Sequence, residues 1–242
     1  MKYANKPTIS IIIPTLNEEK YLPRLLESLR RQVFRSYEII VSDGNSTDQT
    51  GEIAKNYNCE FISSKIKNVS HQRNAGAGLA RGDILIFVDA DCILPDKNFL
   101  SAVYNEFKQR GLDACALVVK HEYANIILTV FDYLYSLFCF VLQFSPIPLT
   151  PGACIVSKKV SHQRIRGFDE SIIIGEDHDY GKRIAIAGKY RIIISRKIMV
   201  SNRRFKKYGT IKILFGWVYY AVRTLIVGPM RKKIDYKFGN FR

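Results

Sequence analysis

"GDILIFVDADC", residues 82–92, runs an apolar strand-length segment straight into two acids, Asp89 and Asp91. The unbroken run of large apolar side chains over residues 84–88 suits a strand buried on both faces. Two carboxylates at i and i+2 just past a strand end can both reach one hard divalent cation or its waters. Mg²⁺ and Mn²⁺ favour oxygen ligands of this kind and usually keep positions open for phosphate. The same pair of acids is equally compatible with a solvated turn, so the reading turns on what surrounds it.

Upstream, "TISIIIPT" (8–15) is a β-branched run of strand length, and "EEKYLPRLLESLRRQ" (18–32) sets Leu22, Leu25, Leu26 and Leu29 at helical spacing. "YEIIVSD" (37–43) reads as the next strand, "STDQTGEIAKNY" (46–57) as a helix opened by cap residues, and "CEFIS" (59–63) as a short strand. "HQRNAGAGLARG" (71–82) reads as a small-residue helix closed by Gly82. This alternation predicts an α/β fold with a mainly parallel sheet and helices on both faces. Such sheets bind ligands at the carboxyl ends of their strands. Three strands end in polar clusters, "PTLNEE", "SDGNSTD" and "DADC", and the three are expected to meet in one crevice.

The chain of 242 residues fits one large domain, or one domain with a small appendage, and a hydrophobic content of 47% is ample for a core. Its net charge of +15, from 37 basic and 22 acidic residues, points to a polyanionic partner: nucleic acid, a phosphorylated small molecule or an anionic membrane face. The five cysteines, Cys59, Cys92, Cys115, Cys139 and Cys154, are odd in number and scattered, with no C-x-x-C. They read as reduced core residues of a cytosolic compartment. The first apolar run, 9–13, is too short for a signal peptide and leads into Pro14, so none is expected.

Taken in order, "SIIIPTLNEEKYL", "EIIVSDGNSTDQT", "HQRNAGAGLARGDILIFVDADC" and "GFDESIIIGEDHDYGKRI" resemble glycosyltransferase family 2, over roughly residues 8–194. The resemblance implies the Rossmann-like GT-A fold and inverting transfer of a sugar from a nucleotide diphosphate sugar, with a divalent cation, Mn²⁺ or Mg²⁺. It places Glu18 and Asp43 on the nucleobase and ribose, where carboxylates accept from ring N–H and hydroxyl groups. Thr15 and Asn17 shape the first turn of that site. Arg73 lies near the nucleotide, where a guanidinium offsets diphosphate charge. Asp89 and Asp91 hold the metal, with Asp89 also toward the donor. Asn17 and either Ser46 or Thr47 are also read as helix caps, and His71 is left between site and surface.

Glu176 and Asp177 stand at the start of a helix in the second half. An inverting transfer needs one base to take the acceptor hydroxyl's proton, and the family's E-D pair occupies this place. Asp177 is assigned as the base and Glu176 to acceptor binding or orientation, while Asp179 reads as a solvated or structural acid. Acids in a first turn also complement the helix dipole without any chemistry. Gly152, in "TPGACIVSKK" (150–159), would let backbone approach the sugar closely.

Two segments depart from a soluble member of the family. "ANIILTVFDYLYSLFCFVLQF" (124–144) is apolar and aromatic all round, with Asp132 as its one charge, and approaches the ~20 residues needed to span a bilayer. "ILFGWVYYAVRTLIVG" (213–228) is shorter and lies between "RRFKK" (203–207) and "RKK" (231–233). Apolar aromatic helices with basic flanks suit the interface of an anionic cytoplasmic leaflet. The expected organisation is a glycosyltransferase domain over 1–200 and a basic, apolar membrane-associated segment over 201–242. Arg203 and Arg204 are expected to close on the donor diphosphate.

The expected substrates are therefore a UDP- or GDP-sugar and a hydroxyl of a lipid-linked glycan or glycolipid, at the cytoplasmic face of the cell membrane. A synthase that loads dolichyl phosphate is the alternative within the class. A phosphate acceptor is already ionised at pH 7, so Glu176 and Asp177 favour a hydroxyl. A nucleic-acid-binding protein would explain the charge, but the aromatics cluster in apolar segments and no such motif is present, so no nucleic-acid partner is expected. A sugar-1-phosphate nucleotidyltransferase would open with a glycine-rich phosphate loop, and "PTLNEEKYLP" has no glycine.

Overall fold

The computed structural model describes residues 6–145 and 147–231. Its elements are β1 (Ile9–Thr15), α1 (Leu22–Arg30), β2 (Tyr37–Asp43), α2 (Thr50–Asn56), β3 (Glu60–Ser63), α3 (Val69–Leu79), β4 (Ile84–Val88) and β5 (Cys92–Ile93). They continue as α4 (Phe99–Gln109), β6 (Ala114–His121), α5 (Ile126–Leu142), β7 (Cys154–Lys158), α6 (Lys159–Arg164), α7 (Glu176–Ala187), β8 (Tyr190–Val200), α8 (Arg203–Tyr208) and α9 (Thr210–Val227). Residues 232–242 of the expected C-terminal segment, with Lys232 and Lys233, lie outside the described residues.

The strands form one sheet in the order β3-β2-β1-β4-β7-β6-β8-β5. Successive side chains of a strand point to opposite faces, and β1 and β4 are apolar on both. Ile9, Ile11 and Ile13 of β1 join Ile84, Ile86 and Val88 of β4 in a core under α1 and α4. Ile12, Leu85 and Phe87 face the other way, into a core with Phe168, Tyr180 and Tyr190. The leucine stripe of α1 is buried as its spacing predicts. The small residues of α3 let it lie close on β1: a Cβ on Gly76 would stand 2.5 Å from Ile12 Cγ2.

The sheet is parallel across β3, β2, β1 and β4 and again between β6 and β8, as expected of a mainly parallel sheet, while β7 runs antiparallel to β4 and β6, and β5 antiparallel to β8. β7 runs antiparallel to β4, pairing Val88 with Cys154, so the chain enters β7 at the end where β4 finishes. That reversal brings Ala153, whose carbonyl accepts from Asp89 N–H at 3.1 Å, beside the two acids. The alternation of strand and helix continues through α4, β6, α5 and β7, and β7 is the strand whose direction that alternation does not predict.

α5 and α9 have one anchored face and one bare face. Leu128, Asp132 and Cys139 of α5 are buried, while Ile126, Val130, Tyr133, Leu134, Leu137 and Val141 are exposed at i, i+4, i+7, i+8, i+11 and i+15. On α9, Ile211, Phe215, Val218, Tyr219, Val222 and Ile226 repeat that spacing and are also exposed. No helix among the described residues is long and apolar enough to cross a membrane. Asp132 points inward: its Oδ1 lies 2.8 Å from His121 Nδ1, and its Oδ2 accepts from His121 backbone N–H at 3.1 Å. The His121 ring packs on Phe205 of α8 and Trp217 of α9, at centroid distances of 4.9 and 5.9 Å.

The one charge of the apolar segment is thus the pin that orients α5. Asp132→Ala leaves the His121 donors unpartnered in a buried place and is expected to cost about 3 kcal/mol, whereas Asp132→Asn, which keeps one acceptor, should cost about 1 kcal/mol. Urea unfolding measures both. A loss below half a kilocalorie for Asp132→Ala would remove the pin.

Candidate active site

The first two strand ends are stitched to each other. Thr15 Oγ1 donates to Asp43 Oδ1 at 2.9 Å, Ser46 N–H donates to Oδ2 at 2.7 Å, and Ser46 Oγ donates to Oδ1 at 2.5 Å. Asn17 has a left-handed backbone with φ of 56°. Its N–H donates to Ser46 Oγ at 2.8 Å, and its Oδ1 accepts from Thr47 N–H at 2.9 Å. Asn17, Ser46 and Thr47 therefore bind loop to loop, which corrects their reading as helix caps. Asp48 Oδ1 instead meets the N–H of Thr50, the first residue of α2, at 3.0 Å.

Glu18 is buried and grips a residue far along the chain. Arg203 Nη1 and Nη2 donate to Glu18 Oε2 and Oε1 at 2.5 and 2.9 Å. Arg203 Nε also lies 2.9 Å from Asp91 Oδ2, an ion-pair contact out of line for a hydrogen bond. The same Asp91 oxygen accepts from Ser201 Oγ at 3.0 Å, and the Tyr21 ring covers the guanidinium at 4.8 Å. Burial pushes the Glu18 carboxyl up to about 7, against the bonds from Arg203. Burial opposes the charge of Arg203, but Asp91 and Glu18 outweigh it and hold the guanidinium above its ordinary range.

Arg73 joins the two halves of the crevice. It is 2% exposed. Its Nη2 donates to Asp89 Oδ1 at 3.0 Å and to the Gly152 carbonyl at 3.3 Å, and its Nη1 donates to Glu176 Oε1 at 3.1 Å. Its guanidinium lies 5.1 Å from the Phe168 ring centroid. Arg73 Nε is buried with no hydrogen-bond partner among the described residues. Burial raises the pKa of Asp89, with Arg73 opposing. Burial and then the charge of Asp177 raise Glu176 to about 7, again against Arg73.

The acids at the start of α7 follow Gly175, whose φ of 89° is the left-handed turn that admits the chain to the helix. Asp177 Oδ1 accepts from His178 N–H at 2.8 Å. A Cβ on Gly152 would stand 2.5 Å from Asp177 Oδ2, so glycine at 152 is what makes room for the carboxylate. His178 Nδ1 accepts from Thr150 N–H at 3.0 Å, which leaves its proton on Nε2 and fixes the loop beneath Asp177. Asp179 pairs with Arg183 at 2.7 Å, the structural role expected of it.

The crevice therefore gathers Thr15, Asn17, Glu18, Asp43, Arg73, Asp89, Asp91, Glu176, Asp177 and Arg203, and the charge of Arg204 reaches Asp89. His71 stands aside, with Nδ1 2.9 Å from Glu170 Oε2 and Nε2 against Ser64 Oγ. Tyr21, Thr150, His178 and Ser201 escaped the sequence reading. Ser201 carried a usable signal, since "SN" after the β-branched end of β8 repeats the strand-end pattern of "DADC". Among the described residues no group of three or more His, Cys, Asp or Glu side chains could hold a metal by itself. Asp89 and Asp91 supply hard oxygens, and phosphates would have to complete the coordination of a cation there.

Residues 10–162 match the family described as Glycosyl transferase family 2. A 4,4'-diaponeurosporenoate glycosyltransferase from Staphylococcus haemolyticus is 39% identical over 120 residues, which cover 43% of this chain and 30% of that protein. The chain thus spans less than a third of that relative's length. The fold is shared with solved structures. Staphylococcus aureus TarS 1-349 in complex with UDP-GlcNAc has a TM-score of 0.66 at 22% identity, covering 80% of this chain and 58% of that one. The mannosyltransferase PcManGT from Pyrobaculum calidifontis, in complex with GDP-Man and Mn²⁺, has a TM-score of 0.67 at 20% identity, covering 82% and 57%. With its strand-end acids converging in a fold of this kind and more than half its length matched, the chain belongs to glycosyl transferase family 2.

Proposed function

We propose that the protein transfers a sugar, with inversion, from a UDP- or GDP-sugar to a hydroxyl of a lipid-linked glycan or glycolipid at the cytoplasmic face of a membrane. One observation carries the reading: Arg73 bonds Asp89 at 3.0 Å and Glu176 at 3.1 Å, so the acids read as donor and acceptor groups share one guanidinium. Asp43, fixed by Thr15 and Ser46, and Glu18 beside it supply acceptor oxygens for ribose hydroxyls and base N–H groups. The buried Arg73 Nε, lacking a partner among the described residues, fits an anionic ligand such as a diphosphate.

In the reaction proposed, Asp177 takes the proton as the acceptor oxygen forms its bond to the anomeric carbon, and the bond from that carbon to the diphosphate breaks. Glu176 orients the acceptor and holds Arg73. Arg73 and the basic α8 offset the charge that grows on the leaving diphosphate. Mn²⁺ or Mg²⁺ bound by Asp89 and Asp91 would add to that neutralisation. The membrane part of the reading is supported by the matching exposed stripes on α5 and α9 and by the cations beside them. Lys197 lies 4.5 Å from the Tyr133 ring and Lys206 5.4 Å from the Tyr123 ring, and Lys207 and Lys212 are exposed.

A base acts in the transition state and not in donor binding. Asp177→Asn should leave affinity for the nucleotide sugar unchanged while kcat falls by about 10² to 10⁴. Transfer near the wild-type rate would point instead to a phosphate acceptor that needs no base, or to Glu176. Loss of donor binding would make Asp177 part of the architecture.

The membrane reading has its own test. The protein should co-sediment with phosphatidylglycerol vesicles and stay partly bound in high salt, because apolar insertion is not screened and the basic contribution is. Leu137→Ser with Phe215→Ser should weaken that binding by about tenfold or more. A double variant that binds as the parent does would remove both stripes from the interface.

A further inference from the structure

Arg203 is a cation already seated among the acids that would receive one. Its side chain is 10% exposed, its fork is filled by Glu18, and its Nε stands 2.9 Å from Asp91 Oδ2. Metal–oxygen bonds of a divalent ion of this type are about 2.1 Å, so an ion on Asp91 would stand within a few ångström of the guanidinium. Two like charges that close repel strongly at the effective dielectric of a partly buried site, and a divalent ion doubles the repulsion. Asp91 cannot serve both cations at full strength. The backbone around Arg203 is held in place: Asn202 Oδ1 accepts from Tyr123 N–H at 3.0 Å, Asn202 Nδ2 donates to the Tyr123 carbonyl at 3.0 Å, and Phe205 is packed on His121 and Trp217. The side chain is the part able to leave.

We propose that Arg203 is an internal stand-in for the donor's cation: its guanidinium neutralises Glu18 and Asp91 while the donor site is empty, keeps free divalent cations out, and yields Asp91 only when a cation arrives together with a nucleoside diphosphate. The diphosphate gives the displaced guanidinium a new anionic partner in the same crevice, so the exchange is charge for charge. A free cation offers no such partner, and its entry would leave the guanidinium repelled at close range. The site thereby loads metal and nucleotide as one unit. The inference rests on the donor and cation reading proposed above and assigns Arg203 its part in it.

Mn²⁺ binding, followed by the loss of the free-ion signal in electron paramagnetic resonance, tests this without turnover. Wild-type protein should bind Mn²⁺ weakly alone and far more tightly with UDP or GDP. Arg203→Gln should bind Mn²⁺ alone about tenfold tighter or more, since the competing charge is gone. Arg203→Lys, which keeps the charge but loses the fork, should give a smaller gain of the same sign, and serves if the first variant does not fold. Adding Asp91→Asn to either variant should abolish the gain. No gain in either variant, or a gain that survives Asp91→Asn, overturns the inference while nucleotide-dependent Mn²⁺ binding by the wild type leaves the proposed function standing. Failure of the wild type to bind Mn²⁺ with either nucleotide overturns both.

Discussion

One buried guanidinium sets the layout of the crevice. Arg73 projects from α3, and its three acceptors come from the end of β4, the entry to β7 and the start of α7. Each acceptor alone would be an expensive group to bury, and burial does raise the pKa of Asp89 and Glu176. Arg73 offsets that cost with charge-assisted bonds, and its planar fork fixes direction as well as distance. The glycine at 152 depends on the same junction. Its carbonyl faces Arg73, and its missing Cβ leaves the space that Asp177 occupies.

Around that junction the two halves contribute unlike things. The parallel strands of the first half present the ends of β1, β2 and β4 on one side, so Thr15, Asp43 and Asp89 line up through register alone. The second half supplies elements that begin or finish at those ends. β7 enters at Asp89, and β8 leaves its last residues beside Asp91, where Ser201 N–H donates to the Asp91 carbonyl at 3.1 Å. Arg203 follows two residues later, which is how a residue 185 positions from Glu18 comes to bind it. The buried face of α5 is fixed to this frame by the bonds between Asp132 and His121.

Much of the first half was legible in the sequence because local pattern decides it. Continuous apolar runs of strand length suit strands buried on both faces, and Leu22, Leu25, Leu26 and Leu29 stand at the spacing of one helix face. The E-D pair at 176 and 177 was legible as a helix entrance, and the structure sets it there. What the sequence did not reveal rests on contacts between distant segments. Asp132 read as an odd charge in an apolar run, because its partner His121 lies on a strand whose register is settled by β7 and β8. Asn17, Ser46 and Thr47 read as caps because their residue types favour that role, and the competing loop-to-loop bonds appear only once β1 and β2 are paired. The grip of Arg203 on Glu18 and Asp91 has no local signal.

Nucleoside diphosphate binding by Arg73→Lys, measured calorimetrically in the presence of Mn²⁺ beside the melting temperature of the free protein, tests whether one guanidinium holds the crevice together. Lysine keeps the charge but cannot reach three acceptors in three directions. UDP or GDP affinity and melting temperature should fall together, because the same fork holds the donor acid, the acceptor acid and the fold. A variant that binds the nucleotide as tightly as the parent and melts at the same temperature would contradict it.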